Sequence, residues 1–119
     1  MTHPKAFAAY DPGELPDVVA RYLAAQADDR GGVVDVFAPD ARVLDEGIEY
    51  FGTEEIRGWL GKAASEYTYT TTFTGQRHVD DNRWEVRARL EGNFPGGTAD
   101  LRFQFRTEDD RIHDLAIEP

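Results

Sequence analysis

The chain contains no cysteine and only one serine, and these absences exclude several kinds of chemistry. Without cysteine it can form no disulfide, no zinc–cysteine centre and no thiol nucleophile. Ser65 lies in a predicted helix and outside any Gly-x-Ser-x-Gly context, which argues against a serine hydrolase. No Gly-rich phosphate loop is present. His78 and His113 stand in predicted strands without further ligands at metal spacing, so we predict no metal site.

Long apolar runs and an excess of positive charge are missing as well. No run of about 20 apolar residues exists that could span a membrane, and the N-terminus lacks the pattern of a secretory signal. The formal net charge is −10, from 23 acidic and 13 basic residues. Nucleic acids and anionic membranes bind basic patches, so neither is expected as a partner. Together with the absence of cysteine, this composition is typical of a cytoplasmic protein.

What is present indicates one globular domain. The 119 residues are 40% apolar and include seven Phe, five Tyr and two Trp, enough for a substantial core. Residues 1–13 have the character of a flexible lead-in that ends in the turn signal Asp11-Pro12-Gly13. We therefore predict a single domain over residues 14–119.

Apolar spacing predicts three helices. The first covers residues 14–29, and its stripe at i, i+3, i+4 and i+7 turns Tyr22 toward the core. A short second helix is predicted at 33–37. The third begins near Gly52-Thr53 and has an apolar face that includes Trp59. This third helix also contains two glycines that weaken it, so we expect another element to pack closely against them. They are Gly58 and Gly61.

Between the second and third helices lies the first candidate for a functional residue. The pattern predicts a turn at 38–40, a strand at 41–45, and a second strand at 48–51 that forms a hairpin with it. Asp45 shares a face of its strand with the apolar Val43. Because charged groups are rarely buried without a partner or a purpose, Asp45 is a candidate for chemistry.

After residue 66 the pattern changes to alternating strands, predicted at 67–79, 83–93, 98–107 and 111–118. Helices first and antiparallel strands later predict an α+β fold, a cone-shaped, strongly curved antiparallel β-sheet wrapped over N-terminal helices. Such a cone encloses an apolar pocket suited to a hydrophobic small molecule. Aromatic residues of the third helix and the strands could line it, although an ordinary core position is the commoner role for any one of them. They are Trp59, Tyr67, Tyr69, Phe73, Trp84, Phe103 and Phe105.

Two stretches carry a resemblance to a known family: RYLAAQADDRGGVVDVFAPDARVLD and, after it, YFGTEEIRGWL. With the predicted order of elements, residues 14–118 resemble the nuclear-transport-factor-2-like superfamily. Within it, the ketosteroid isomerases and the SnoaL-like polyketide cyclases are most similar. The resemblance implies that Tyr22, in VVARYLAA, donates a hydrogen bond to an oxyanion. It also implies that Asp45, in VFAPDARVLD, is the general base.

The chain departs from the isomerase pattern at two places. The isomerases use a protonated aspartic acid on a late strand as a second oxyanion donor, and Asp100 is the nearest candidate here. Alternation places Asp100 opposite the apolar face of its strand, so we expect Leu101 to take that place in the pocket. Glu46 stands where the isomerases have a proline directly after the base. Both departures count against steroid isomerisation itself.

Two functions therefore remain open. In the first, the protein is an isomerase or cyclase without a cofactor, in which Asp45 abstracts a proton next to a carbonyl and Tyr22 stabilises the enolate. In the second, it is a non-catalytic ligand-binding or dimerisation module, in which the aspartate caps a turn and the tyrosine belongs to the core. A grouping of Asp100, Arg102 and Asp114 also resembles the acidic–arginine sites of limonene-epoxide-hydrolase-like relatives, but its order and spacing match poorly.

The outer face of the predicted sheet is polar. Arginines and glutamates alternate along two strands, where they can pair across strands or lie in a dimer interface. Dimers through this face are common among the relatives, so a symmetric homodimer through the outer sheet face is the expected assembly. The residues are Glu85, Arg87, Arg89, Glu91, Arg102 and Arg106.

Overall fold

The computed structural model of the protein describes residues 7–25, 31–66 and 69–119. Within these ranges the chain forms two α-helices and six β-strands. The helices are α1 (Asp17–Ala25) and α2 (Gly52–Glu66). The strands are β1 (Phe37–Asp45), β2 (Ile48–Phe51), β3 (Tyr69–Asp80), β4 (Arg83–Gly92), β5 (Thr98–Glu108) and β6 (Arg111–Glu118). Short 3-10 helices precede α1 and β1, at Pro12–Glu14 and Gly31–Val36. Neither α-helix is both long and apolar enough to cross a membrane, as judged from the described residues.

The strands form one sheet in the order β2-β1-β6-β5-β4-β3. The predicted hairpin and the predicted four-stranded meander are both present, and the α+β fold with a strongly curved sheet is confirmed. One pairing differs from an all-antiparallel sheet, because β1 runs parallel to β6. The cause is topological: α2 carries the chain from β2 to the far edge of the sheet, so the meander returns to β1 only with its last strand.

Helix α1 is shorter than the predicted helix at 14–29, although its core-facing stripe is as expected. It begins at Asp17 because the residues before it form the separate 3-10 turn, in which the Asp11 side chain accepts the backbone N–H of Gly13 at 3.0 Å. The part of the prediction at 26–29 lies outside the described residues. Tyr22 is 2% exposed, so it faces the core as predicted.

The predicted turn at 38–40 is wrong, because these residues belong to β1. The pairing of β1 with β6 shifts register between Phe37 and Arg42, so the ladder is interrupted where the chain carries Pro39. A proline cannot donate a ladder hydrogen bond and is tolerated within sheets at such irregularities. The turn signal of Pro39 and Asp40 therefore marks a bulge inside a longer strand.

The concave face of the sheet, the side that carries the helices, holds the hydrophobic core. Tyr22 lies at its centre, with its ring 5.7 Å from that of Phe37, 5.8 Å from Phe105 and 6.4 Å from Trp59, measured between ring centroids. These contacts join α1, α2, β1 and β5 in one cluster. The tyrosine is thus held on three sides by large side chains.

The chain before α1 is attached to the open edge of the sheet. We predicted a flexible lead-in over residues 1–13; the described part pairs with β3 through reciprocal backbone hydrogen bonds of 2.8 and 2.9 Å between Ala8 and Gln76. The buried side chain of Gln76 also accepts the Asp11 N–H at 2.8 Å and donates to the Asp11 carbonyl at 3.0 Å. With one accepted and one donated bond, the Gln76 side chain pairs with the Asp11 backbone in the way that a neighbouring strand would.

The expectation of close packing against Gly58 and Gly61 is wrong. A Cβ built on either residue would meet no described atom within 4 Å, and both positions are exposed. These glycines therefore lie on the solvent side of α2, where they weaken the helix without allowing a close contact.

The opposite side of the sheet, the outer face, is a charged surface with pairs across strands, as predicted. The side chain of Glu85 is nearly buried and lies 2.8 Å from Arg77 and 3.8 Å from Arg102, between guanidinium nitrogens and carboxylate oxygens. Arg106 donates a short hydrogen bond to Asp114, and this bond is the main reason why the pKa of Arg106 is raised. Cations and carboxylates on this face therefore largely neutralise one another.

Candidate active site

Asp45 is placed by the tight turn that joins β1 and β2. Glu46 and Gly47, the two turn residues, have φ angles of 54° and 77°, the positive values of a hairpin turn that favours glycine at its second position. The turn pairs Asp45 with Ile48 and fixes the register of the hairpin. Because side chains alternate along a strand, Asp45 lies on the concave face with the buried Val43.

The carboxylate of Asp45 is bonded to a side chain of α2. The indole Nε1 of Trp59 donates to Asp45 Oδ2 over 3.0 Å. Trp59 is 5% exposed, and it projects inward because it belongs to the apolar stripe of α2 with Ile56 and Leu60. The described residues provide no second hydrogen bond to this carboxylate, so Oδ1 has capacity for another group.

Asp45 and Tyr22 line the same cavity, although they come from β1 and α1. The cavity has a volume of about 870 Å³ and lies between the helices and the concave face. Asp45, Ile117 and Phe103 lie side by side across three neighbouring strands of the cavity wall, because Asp45 pairs with Ile117 on β6 and Ile117 pairs with Phe103 on β5. Leu101 follows two residues along β5, on the same face. The curved sheet thus brings a carboxylate, a phenol and an apolar wall around one space.

The structure brings four of the predicted pocket residues to this cavity, namely Trp59, Tyr69, Leu101 and Phe103. Further lining residues had not been predicted: Leu44, Glu46, Gly47, Leu90, Phe94, Pro95, Ala99, Ile117, Glu118 and Pro119. Alternation along β4 carries a signal for Leu90, since it shares the inward face of that strand with the predicted Trp84. No sequence pattern marks Phe94 and Pro95, which belong to the turn between β4 and β5.

The remaining predicted pocket residues lie elsewhere. Phe73 packs against Tyr10 with 4.7 Å between ring centroids, and Trp84 stacks on His78 at 4.0 Å. Phe105, named with them, packs in the core against the Tyr22 ring. Tyr67 lies outside the described residues. Phe73 and Trp84 are on the expected face of their strands, but alternation predicts only the face and not the position along a strand.

No cluster of three or more potential metal ligands occurs in the described part of the chain. The acidic–arginine grouping of Asp100, Arg102 and Asp114 is not part of the cavity lining. Asp114 instead binds Arg106 and Arg42 on the outer face. The chemistry available at the cavity is therefore that of carboxylates, phenols and an indole N–H.

Comparison with solved structures identifies the family. A protein from Sinorhizobium meliloti, provisionally named a polyketide cyclase, is 34% identical to this chain and matches it with a TM-score of 0.83. The match covers 92% of this chain and 100% of that one. The chain belongs to the SnoaL-like, ketosteroid-isomerase-like branch of the nuclear-transport-factor-2-like superfamily.

More distant structures share the fold of this SnoaL-like protein. A protein with a ketosteroid-isomerase-like fold from Catenulispora acidiphila, solved in complex with trimethylamine, is 20% identical, with a TM-score of 0.75 over 87% of this chain and 85% of that one. A cystatin-fold protein from Novosphingobium aromaticivorans is 17% identical, with a TM-score of 0.71 over 87% and 96% of the two chains. No protein-family model and no curated protein matches the chain.

The SnoaL-like cavity departs from the isomerase pattern where the sequence indicates. Asp100 is exposed and pairs in register with Arg89, whereas the next residue, Leu101, forms part of the cavity wall. No bulge resets the alternation between them, since β4 and β5 pair without a register shift. Asp100 therefore does not reach the cavity, and the apolar Leu101 forms its wall there.

Proposed function

We propose that this SnoaL-like protein binds a hydrophobic small molecule in the cavity and acts on it as an isomerase or cyclase. The observation that supports this proposal is that Asp45 and Tyr22, from separate elements, line one cavity of about 870 Å³. Ligand cavities in proteins commonly have about 300–1,000 Å³, so the space suits a molecule of several fused or linked rings. The structural relative provisionally named a polyketide cyclase, and the neighbour that holds trimethylamine, are consistent with a small-molecule site in this fold.

Asp45 is the proposed general base. The proton of a carbon next to the ligand's carbonyl passes to the carboxylate, and the electron pair moves to the carbonyl oxygen as an enolate forms. Trp59 fixes the direction of the carboxylate through its 3.0 Å bond to Oδ2, which leaves Oδ1 for the proton. The protonated Asp45 then returns the proton to another carbon in an isomerisation. In a cyclisation the enolate carbon attacks a second carbonyl of the same molecule, and that oxygen takes the proton.

Tyr22 is the proposed oxyanion donor. Its ring is held by Phe37, Trp59 and Phe105, so the donor needs little reorganisation when charge develops. A hydrogen bond to an oxyanion is worth more in a buried, weakly polar site than in water. The wall at Leu101 supplies no second donor, and therefore this site favours ligands whose enolates need less stabilisation than that of a simple ketone.

The alternative is a non-catalytic ligand-binding or dimerisation module of the same fold. A dimerisation module would have a filled cone, and its Asp45 would bond only to the backbone; the open cavity and the side-chain bond from Trp59 count against that form. A ligand-binding module without catalysis would share the open cavity, and the exchange experiment below distinguishes it. Homodimerisation through the outer face is compatible with both, and exposed apolar side chains at Leu44 and Phe51 support it.

The test of the catalytic proposal is deuterium exchange at the carbon next to a carbonyl. Exchange of 2-tetralone and related ketones is followed by proton NMR in deuterated buffer near neutral pH, which detects proton abstraction whatever the final product is. We expect the wild-type protein to accelerate exchange. Asp45→Asn should lower the protein-dependent rate by about 10²–10⁴-fold, the range for a positioned acid or base. Tyr22→Phe should lower it by about 10²-fold, as for loss of one oxyanion donor.

Asp100→Asn is the matched control, because it removes the same charge from an exposed position outside the cavity. It should exchange the ketones as fast as wild type. Equal rates for wild type and Asp45→Asn would remove the catalytic role of Asp45 and leave the binding module as the function. Circular dichroism and thermal unfolding of each variant separate a loss of chemistry from a loss of fold.

A further inference from the structure

The ionisable groups around the cavity have one sign. Asp45 and Glu46 both line it, at the tip of the β1–β2 hairpin, and Glu118 lies at its rim. No Lys or Arg occurs among its described lining residues. The cavity therefore presents negative charge to whatever enters it.

Two of these carboxylates have no cationic partner within the described ranges. The ion pairs found there include neither Asp45, whose hydrogen bond comes from a neutral indole, nor Glu46. Glu118 differs, because it lies 3.5 Å from Arg102 on the outer face. The same chain pairs Glu85 closely with Arg77 on that face. Among the described residues, carboxylates without an ion pair also occur elsewhere on the sheet, for example Glu49, Glu91 and Asp100, but Asp45 and Glu46 are the two that line the cavity.

Aromatic rings form much of the remaining wall. Tyr69 and Phe94 meet edge to face at the side formed by β3 and the β4–β5 turn, with 6.4 Å between ring centroids. Both side chains are half-buried, and Phe103, on the concave face of β5, also lines the cavity. The faces of aromatic rings attract organic cations, and the attraction grows where water is excluded.

We infer that, if the cavity is the ligand site proposed above, its ligand is an organic cation: an amine or quaternary ammonium group on an apolar body. A neutral ligand that fills the cavity would strip water from Asp45 without replacing it, which costs free energy, and an anionic ligand would also be repelled. A cation compensates for the water that Asp45 loses, because it interacts favourably with the negative carboxylate. Its positive group lies near Asp45 and Glu46, and its apolar body lies against Leu101 and Phe103.

This ligand class also explains how one oxyanion donor can suffice. A positive charge close to the reacting carbon makes its proton easier to remove and stabilises the enolate electrostatically. The ligand would then supply part of the stabilisation that the isomerases obtain from a second donor, a position occupied here by Leu101. Both the carboxylates of the cavity and the absence of a second oxyanion donor at Leu101 therefore favour a cationic ligand.

The test compares three probes of one shape and different charge. They are (2-naphthylmethyl)trimethylammonium, its neutral carbon isostere 2-neopentylnaphthalene, and 2-naphthylmethanesulfonate. Affinities are measured by isothermal titration calorimetry at low and at physiological salt. The indole N–H signal of Trp59 in nitrogen–proton NMR spectra reports whether each probe reaches the cavity, because this group contacts Asp45. We expect the cation to bind at least tenfold more tightly than the neutral isostere and the sulfonate to bind most weakly.

Charge-removing variants assign the preference to the cavity. Asp45→Asn should abolish most of the difference between the cation and the neutral probe. Glu46→Gln should reduce it by about twofold, since Glu46 is exposed and water screens its charge. Asp100→Asn makes the same change in net charge outside the cavity and should leave the preference unchanged.

The outcomes separate this inference from the proposal on which it rests. If the neutral isostere and the cation bind equally and both move the Trp59 signal, the cavity is a ligand site but its selectivity for cations is refuted. If no probe binds, both proposals fail. If Asp100→Asn reduces the preference as much as Asp45→Asn does, the net charge of −10 is responsible and the inference is overturned.

Discussion

At the scale of single residues, the site depends on the Asp45 carboxylate, which is held by one hydrogen bond from Trp59. Trp59 supplies one N–H to Asp45, while the inward-facing alternation of β1 turns the rest of the carboxylate to the cavity. A fully satisfied carboxylate would be a poor base, and an unsupported one would not keep its direction. The geometry lies between these limits, as expected of a base that must accept a proton from a bound molecule.

Gly58 offers a test of stability at this scale. Because a Cβ there would enter open space in the interior of α2, Gly58→Ala should stabilise the protein by about 0.5–1 kcal/mol, through reduced freedom of the unfolded chain. Gly61→Ala should do the same. Denaturation by urea, followed by circular dichroism, measures the change in the free energy of unfolding.

Gly75→Ala is the control of opposite sign. Its added Cβ would lie 3.2 Å from the carbonyl oxygen of Ala8 and 3.5 Å from Phe7 Cβ, so the paired segment would have to move. We expect this variant to be less stable than wild type. A loss of stability in Gly58→Ala as well would mean that a neighbour outside the described ranges packs against α2.

The sequence predicts the orientation of single residues better than their surroundings. Alternation and helical spacing place Asp45 and Tyr22 inward, and both are inward. The bond from Trp59 to Asp45 was not predicted, because it depends on how α2 crosses the hairpin. The sequence pattern does not define the position of α2 over the hairpin closely enough to predict a hydrogen bond of 3.0 Å.

At the scale of elements, the segment before α1 completes the sheet edge. The exposed edge of β3 would otherwise offer unpaired backbone groups to other chains. The bridge between Ala8 and Gln76 covers part of that edge, and Tyr10 adds a ring contact with Phe73 at 4.7 Å. Burial in this contact raises the pKa of the Tyr10 hydroxyl.

Gln76→Leu tests this attachment. Leucine keeps much of the volume but removes both side-chain bonds to the Asp11 backbone, so we expect a loss of about 1–2 kcal/mol in the free energy of unfolding. Amide hydrogen exchange at Ala8 and Asp11 should accelerate. Gln104→Leu makes the same replacement on β5 and should leave exchange at these two amides unchanged. Unaltered exchange in Gln76→Leu would show that the backbone bridge alone holds the segment.

Element types were predictable where one periodicity extends over many residues. The strands β4, β5 and β6 were predicted within a residue or so of their observed ends, and β4 alternates along its whole length; the irregularity where β5 pairs with β6, between Arg106 and Thr107, was not predicted. The start of β1 was not, because Pro39 signals a turn locally while pairing with β6 keeps the chain extended. A tertiary contact thus overrides the local preference, and no local pattern records that contact.

At the scale of the whole molecule, the packing of distant segments against the sheet determines which inward residues share the cavity. Phe73 and Phe103 both face inward, yet only Phe103 lines the cavity, because the N-terminal segment brings Tyr10 over Phe73. The described lining comes from five of the six strands, from both helices and from two turns. Its composition therefore follows from the assembled fold, and single elements do not predict it.

Assembly through the outer face is the last prediction. This face is charged but largely self-neutralised by pairs such as Arg106 with Asp114, so its exposed apolar groups can associate without net repulsion from those pairs. Phe51 is 57% exposed and lies on the outer face because it pairs in register with Arg42. Light scattering after size exclusion should give twice the mass of one chain for wild type, and Phe51→Asp should shift the equilibrium toward monomer.

Ile48→Asp is the matched control, in the same short strand and with a similar exposure of 50%. Ile48 pairs with Asp45 and so lies on the concave face, where a new charge does not touch the outer surface. It should leave the dimer intact. Dissociation by both substitutions would show that the hairpin as a whole forms the contact, and a wild-type monomer at about 50 μM would contradict the dimer, since stable homodimers associate well below that concentration.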